Sequence, residues 1–196
     1  MFGPGDVRFF DRLARLYGLG MPAADRGRLA AGLARANRPV ERVVDLAGGT
    51  GRATTEIDAP ERVVLDAAPG MLRRVGERDG DLAPVTGDAR RLPLADASVD
   101  AVTLVDALHH LPNQRAVAEE VRRVLRPGGA FVVVDFDPTH PLGRLVVLAE
   151  SLVGFDSIFT GPDDLARFLS RVGFAETTVV DRGFAYTVVG LKGDEG

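Results

Sequence analysis

Three glycines and two acids carry the first chemical signal in this sequence. Residues 43–51 read V-V-D-L-A-G-G-T-G, an apolar run that ends in Asp45 and breaks into a loop holding Gly48, Gly49 and Gly51. Glycines there can take positive φ and present no Cβ, so backbone N–H groups and the start of the next helix can close on a polar ligand. A second apolar run, residues 62–65, ends in Asp66. An acid at the tip of the second strand of a βαβ unit is placed to accept two hydrogen bonds from a ribose diol. Together these features point to a cofactor that carries a nucleoside.

Two alternatives compete with that reading. A dinucleotide site wants G-x-G-x-x-G, with the third glycine letting helix and strand pack closely. Taking Gly49 and Gly51 as the first pair puts Thr54 at the third position, which disfavours a nicotinamide-dependent oxidoreductase. The other alternative is a ligand-free strand-to-helix turn, and further residues weigh against it. After Asp66, Met71 sits one helical turn in, where a thioether can lie against an adenine face. Residues 85–89 end a third short run in Asp88, where a carboxylate can accept from an exocyclic amine. A cofactor without phosphates, S-adenosylmethionine, fits all of these places.

The chain resembles the class I S-adenosylmethionine-dependent methyltransferases, in particular the group that includes the ubiquinone and menaquinone ring C-methyltransferases. The resemblance rests on the order of D-L-A-G-G-T-G, D-A-A-P-G-M-L, G-D-A-R-R-L-P-L-A-D-A-S-V-D, A-L-H-H-L-P-N and V-L-R-P-G-G between about residues 9 and 191. It implies that Asp45, Ala47, Gly48, Gly49 and Gly51 line the methionine part, with Asp66 at the ribose. It further puts Ala67 and Met71 at the adenine, Asp88 and Ala89 at the adenine edge, and Val105 on the sulfonium side. Residues 10–21 echo the leading segment of the quinone enzymes and add Tyr17 to the cofactor set, although Gly18 stands where an acid usually follows the tyrosine. The product would be S-adenosylhomocysteine, and the acceptor a small molecule, quinone-like by the same resemblance. A binding module that keeps the pocket without turnover is the remaining alternative.

Methyl transfer from a sulfonium needs the nucleophile positioned and, where required, deprotonated. In open α/β sheets ligands sit beyond the carboxyl ends of the strands. That selects Asp106, His109, His110, Asp135, Asp137 and His140, with Tyr17 and Tyr186 reaching in. His109 and His110 are the candidates for a general base, since a histidine pKa near 6.5 suits the task. Adjacent residues on a helix point about 100° apart, so one of the pair is expected to be structural. Adjacent histidines also lack ligand spacing, and no metal is expected. Pro138 follows Asp137, which suggests a cap there.

The elements that must position these residues alternate. Strands are expected over 41–46, 62–66, 83–86, 100–105 and 130–136, with helices over 51–57, 69–78 and 114–125 between them. Further helices are expected at 142–153 and 162–172, followed by strands at 176–180 and 185–191. This predicts a Rossmann-like, doubly wound, mostly parallel seven-stranded sheet with a C-terminal antiparallel hairpin. Two N-terminal helices, 6–17 and 23–36, precede it. One domain over 1–196 is expected, with a helical cap over 1–38 and the cofactor-binding core over 39–191. Leucines and valines cover more than one face of 142–153, which suits core packing, a homodimer contact, or a lid over an apolar acceptor.

Composition narrows the function classes. The chain has 196 residues, 45% hydrophobic and 27% charged, with net charge −4. The basic residues are dispersed, so nucleic acid is not an expected partner. No run approaches the ~18–20 apolar residues of a membrane span, and the start does not read as a signal peptide, so a cytoplasmic protein is expected. Zero cysteines exclude disulfides and thiolate chemistry.

Overall fold

The structure is a computed structural model and describes residues 24–78, 81–153 and 157–194. The expected N-terminal helix at 6–17 and Tyr17 lie outside them. Helix α1 (Arg26–Leu33) is capped by Asp25, whose carboxylate accepts from the Arg28 N–H at 3.1 Å, which is why the helix starts later than the apolar pattern alone suggests.

The sheet strands are β1 (Arg42–Leu46), β2 (Glu61–Asp66), β3 (Leu82–Thr86), β4 (Val99–Val105), β5 (Leu125–Phe136), β6 (Glu176–Asp181) and β7 (Ala185–Leu191). Their order is β3-β2-β1-β4-β5-β7-β6, with β7 antiparallel to both β5 and β6. The seven strands and the terminal hairpin agree with the expected architecture. Between β2 and β3 lie α2 (Pro69–Leu72) and α3 (Val75–Arg78), followed later by α4 (Gln114–Val124), α5 (Pro141–Val153) and α6 (Pro162–Val172).

The chain runs outward from β1 to β3 and then returns to pair β4 beside β1. The strand order therefore reverses between β1 and β4, and a crevice opens at their carboxyl ends. Asp100, near the start of β4, accepts from the backbone N–H groups of Glu41 (3.1 Å) and Arg42 (2.9 Å) and from Arg126 (2.9 Å), pinning β1 to β4 at the end opposite the crevice.

Alternating side chains build two cores. Val44, Val102 and Phe131 face Val117 and Val121 of α4 and Leu165 and Leu169 of α6. Val43, Ala101 and Val132 face the other way, onto Leu29 and Leu33 of α1. The approach of α1 is close: a Cβ on Gly32 would stand 2.5 Å from Val132 Cγ1.

Three further expected boundaries change. The helix expected at 51–57 is only a 3₁₀ turn, Thr54–Glu56. Thr54, Thr55 and Ile57 are weak helix formers, and Thr54 is drawn inward to a buried acid. The helix expected at 69–78 is interrupted between Leu72 and Val75. Strand β5 begins at Leu125, with a register shift against β4 across Val99 and Ala101; Gly128, at φ +74, absorbs the irregularity where a plain turn was expected.

Candidate active site

The loop after β1 is shaped by positive φ and by close approach. Ala47, Gly49 and Gly51 have φ of 54, 57 and 77°, so the backbone curls back beneath the crevice. Ala47 is a non-glycine held in this region, a local strain of the kind found at ligand sites. The tightest position is Gly48, where an added Cβ would meet Asp45 Oδ2 at 2.8 Å and Val64 Cγ1 at 2.9 Å. At Gly49 the nearest obstacle is Met71 Cε, at 3.3 Å. Sterics thus demand glycine at 48, and conformation demands it at 49 and 51.

Two carboxylates support this loop from different sides. Asp45 is fully buried; it accepts from the Thr54 hydroxyl at 2.6 Å and the Thr103 hydroxyl at 2.8 Å. Burial pushes its carboxyl up to about 6, against the opposing pull of those two bonds. Asp66 accepts from the Gly49 N–H at 2.9 Å through one oxygen and from the Ala68 N–H at 2.7 Å through the other. Burial also raises Asp66, and its backbone hydrogen bonds resist the change. Asp66 therefore locks the glycine loop to β2 and holds a carboxylate at the crevice wall.

One cavity gathers most of the expected cofactor residues. Asp45, Ala47, Gly48, Gly49, Asp66 and Ala67 line it, together with Met71, Asp88, Ala89 and Val105. Gly51 lies behind the lining, with a virtual Cβ 3.1 Å from Leu82 Cδ1. Asp88 is held by Arg90, which donates to it from its backbone N–H at 3.0 Å and from Nε at 3.1 Å.

Arg52, which sequence reasoning passed over, also lines the cavity. Its Nη2 donates to Asp106 Oδ2 at 2.8 Å, spanning from the glycine loop to the end of β4. Asp106 sits at φ 52°, a second strained non-glycine residue. The pairing joins residues 54 positions apart, so no local pattern announces it.

The two histidines separate. They share the short 3₁₀ turn Leu108–His110. His110 lines the cavity. His109 does not; it is 2% exposed and stacks on Phe159 with ring centroids 4.3 Å apart. Its Nδ1 lies 2.7 Å from Asp135 Oδ1, and its Nε2 lies 3.4 Å from Glu150 Oε1. Burial lowers the His109 pKa, but these two carboxylates outweigh it and push the imidazole up to about 9.

The other candidates lie elsewhere. The Tyr186 hydroxyl donates to the Thr160 carbonyl at 2.6 Å, and burial raises its pKa. His140 Nδ1 accepts from the Leu142 N–H at the start of α5. Asp137 accepts from the Thr139 N–H and hydroxyl, closing the turn ahead of α5; it does not cap the helix as expected, because the helix starts only at Pro141. In α5 the leucines do not join the core: Leu142, Leu145, Leu148 and Leu152 are exposed, while Glu150 turns inward to the histidines.

The donor set and the glycine cradle fit S-adenosylmethionine: an acid at the β2 tip for a diol, a thioether beneath Gly49, and a buried carboxylate on the methionine side. Residues 44–133 match the family described as "Methyltransferase domain". A demethylmenaquinone methyltransferase from Beutenbergia cavernae is 42% identical over 160 residues, covering 78% of this chain and 65% of that protein. One from Mycobacterium sp. (strain KMS) is 45% identical over 105 residues, covering 52% of this chain and 45% of that protein. The chain thus spans less than two thirds of the length of these curated relatives. Among solved structures, a SAM-dependent methyltransferase from Thermotoga maritima superposes with a TM-score of 0.76 at 21% identity, covering 94% of this chain and 98% of that one, a likeness of fold. Over residues 44–133 the chain is thus similar in sequence to methyltransferase domains, over most of its length it shares the fold of S-adenosylmethionine-dependent methyltransferases, and its crevice fits their cofactor.

Proposed function

We propose that the chain transfers a methyl group to a small, apolar ring acceptor bearing an ionisable hydroxyl, a quinol of the demethylmenaquinone type. The observation that carries the reading is that His110 and the Arg52–Asp106 pair line the same cavity as the glycine loop and Asp66. The curated relatives named for demethylmenaquinone support the acceptor class.

When bound, S-adenosylmethionine supplies an electrophilic methyl group. Asp66 takes the ribose diol, Asp88 and Ala89 the adenine edge, and Asp45 stands behind the loop on the methionine side. Thr54 and Thr103 keep the Asp45 carboxylate aimed while it is out of water. His110 is the residue that accepts the acceptor's hydroxyl proton; the resulting oxyanion raises electron density at the neighbouring ring carbon. His109, clamped by Asp135, Glu150 and Phe159, fixes the turn that presents His110. The exposed leucines of α5 form the apolar face where the acceptor's tail, or a second copy of the chain in the cytoplasm, is covered. Among the described residues no helix is long and apolar enough to cross a membrane.

The test is single-turnover transfer of a labelled methyl group to a short-tailed 1,4-naphthoquinol. His110→Ala should lower the rate about 10²–10⁴-fold, the usual worth of a general base, while leaving S-adenosylhomocysteine affinity within a few fold. An unchanged rate removes His110 from the chemistry.

A further inference from the structure

We infer that His109, His110 and Glu150 form a binding site for a divalent transition-metal ion, with Zn²⁺ the best match, at the wall of the cofactor cavity. The inference stands whichever acceptor the protein methylates; in the ion-loaded chain a hydroxide on the ion, rather than the coordinated His110 imidazole, would take the acceptor's proton. Among the described residues these three side chains place one ligand atom each within 4.8 Å of one another.

The spacing is within reach of a metal site. His109 Nε2 lies 3.4 Å and His110 Nε2 3.8 Å from the same atom, Glu150 Oε1. Zinc–nitrogen bonds of about 2.0–2.1 Å in a tetrahedral site put neighbouring ligands about 3.3 Å apart. Rotation of the three side chains, whose ligand atoms already lie within 4.8 Å of one another, would complete the set. The sequence argument that adjacent histidines lack ligand spacing does not hold here, because a 3₁₀ turn tilts both rings toward α5, with centroids 4.1 Å apart.

The hydrogen bonds on the outer side of the cluster point the same way. The Ser157 hydroxyl donates to Glu150 Oε2 at 2.5 Å, so toward His110 Nδ1, 3.3 Å away, its oxygen acts as acceptor. Asp135 accepts at His109 Nδ1. With Nδ1 donating outward, each ring directs its Nε2 toward Glu150 Oε1. A metal ion entering there would replace the His109 Nε2 proton and hold both rings and the carboxylate together. A carboxylate behind a ligating histidine is the usual outer support of zinc sites. Three protein ligands also leave a fourth position for water or a substrate oxygen, the pattern of zinc sites that act on substrates. His110 lines the cavity, so an ion held here borders the space an acceptor would use.

The test is a titration of the tag-free chain with Co²⁺, followed by visible absorption and by competition with Zn²⁺. One ion per chain is expected, with the intensified absorption of a tetrahedral nitrogen and oxygen site and displacement by Zn²⁺. His110→Ala and Glu150→Gln should each weaken binding at least tenfold, and Asp135→Asn about ten- to a hundredfold through loss of outer support. Zn²⁺ should raise the unfolding temperature of the wild type and fail to raise that of the His110 and Glu150 variants. Wild-type protein that takes up neither ion at micromolar concentrations, or variants that bind as the wild type does, would overturn the inference.

Discussion

Replacing Asp66 by Asn keeps the shape of the side chain and removes its charge. In the native structure its two oxygens accept from two different backbone N–H groups, Gly49 at 2.9 Å and Ala68 at 2.7 Å. The amide has only one oxygen, so its NH₂ must face a donor at one of the two. A hydrogen bond to a charged group is worth about 1.5–3 kcal/mol, and opposing donors add to its loss. Stability should nevertheless fall only by the lower part of that range, because burial already penalises the ionised carboxylate and neutral Asn escapes this cost. Cofactor affinity has no such relief: the ribose grip and the loop lock fail together. Calorimetry with S-adenosylhomocysteine should show affinity weakened about ten- to a hundredfold, the equivalent of ~1.5–3 kcal/mol. Chemical denaturation should show a loss of only about 1–2 kcal/mol. Wild-type affinity in a folded Asp66→Asn variant, or a stability loss larger than the affinity loss, would refute the double role.

Gly48→Ala drives a Cβ to within 2.8 Å of Asp45 Oδ2 and 2.9 Å of Val64 Cγ1 and should cost more cofactor affinity than Gly49→Ala, which carries the ~1–2 kcal/mol strain of a left-handed residue but meets only the flexible end of Met71; calorimetry on both variants decides the order. Asp45 has a folded pKa raised to about 6 from 3.8, so its contribution is fully present below about pH 4 and is lost as pH rises through 6. Relative to Asp45→Asn, the wild type should therefore lose about 1–2 kcal/mol between about pH 5 and 7 in denaturant titrations; parallel profiles would contradict this. Arg52→Met leaves the half-buried Asp106 without this ion pair and should destabilise by about 1–3 kcal/mol, whereas Arg52→Met with Asp106→Asn should recover much of that loss. A double variant no better than the single one would show that the pairing is incidental.

The parallel strands were legible because a strand buried on both faces reads as a near-continuous apolar run; residues 43–46, 62–65 and 99–105 are of that kind, broken only by Asp45, Arg62, Asp100 and Thr103. The glycine loop and the place of Asp66 at a strand tip were legible because glycine and acid at strand ends follow from backbone geometry. What stayed hidden depends on contacts distant in sequence. Thr54 forgoes a helix to donate to Asp45, and nothing near residue 54 announces that acid's burial. Gly48, not Gly49, is the tightest point because Val64 of β2 stands beside it. The separation of His109 from His110 needed α5: Glu150 closes on His109 from some forty residues away, and the exposed leucines flanking it masked an inward-facing acid. Arg52 looked like an ordinary loop cation until β4 brought Asp106 opposite it.

The most direct test of the methyl-transfer account is mass spectrometry of a short-tailed demethylated 1,4-naphthoquinol incubated with the purified chain and S-adenosylmethionine carrying a labelled methyl group. The account predicts one labelled methyl on a ring carbon, formed together with S-adenosylhomocysteine and strongly reduced by His110→Ala. A folded protein that binds S-adenosylhomocysteine yet leaves the ring unlabelled would contradict it.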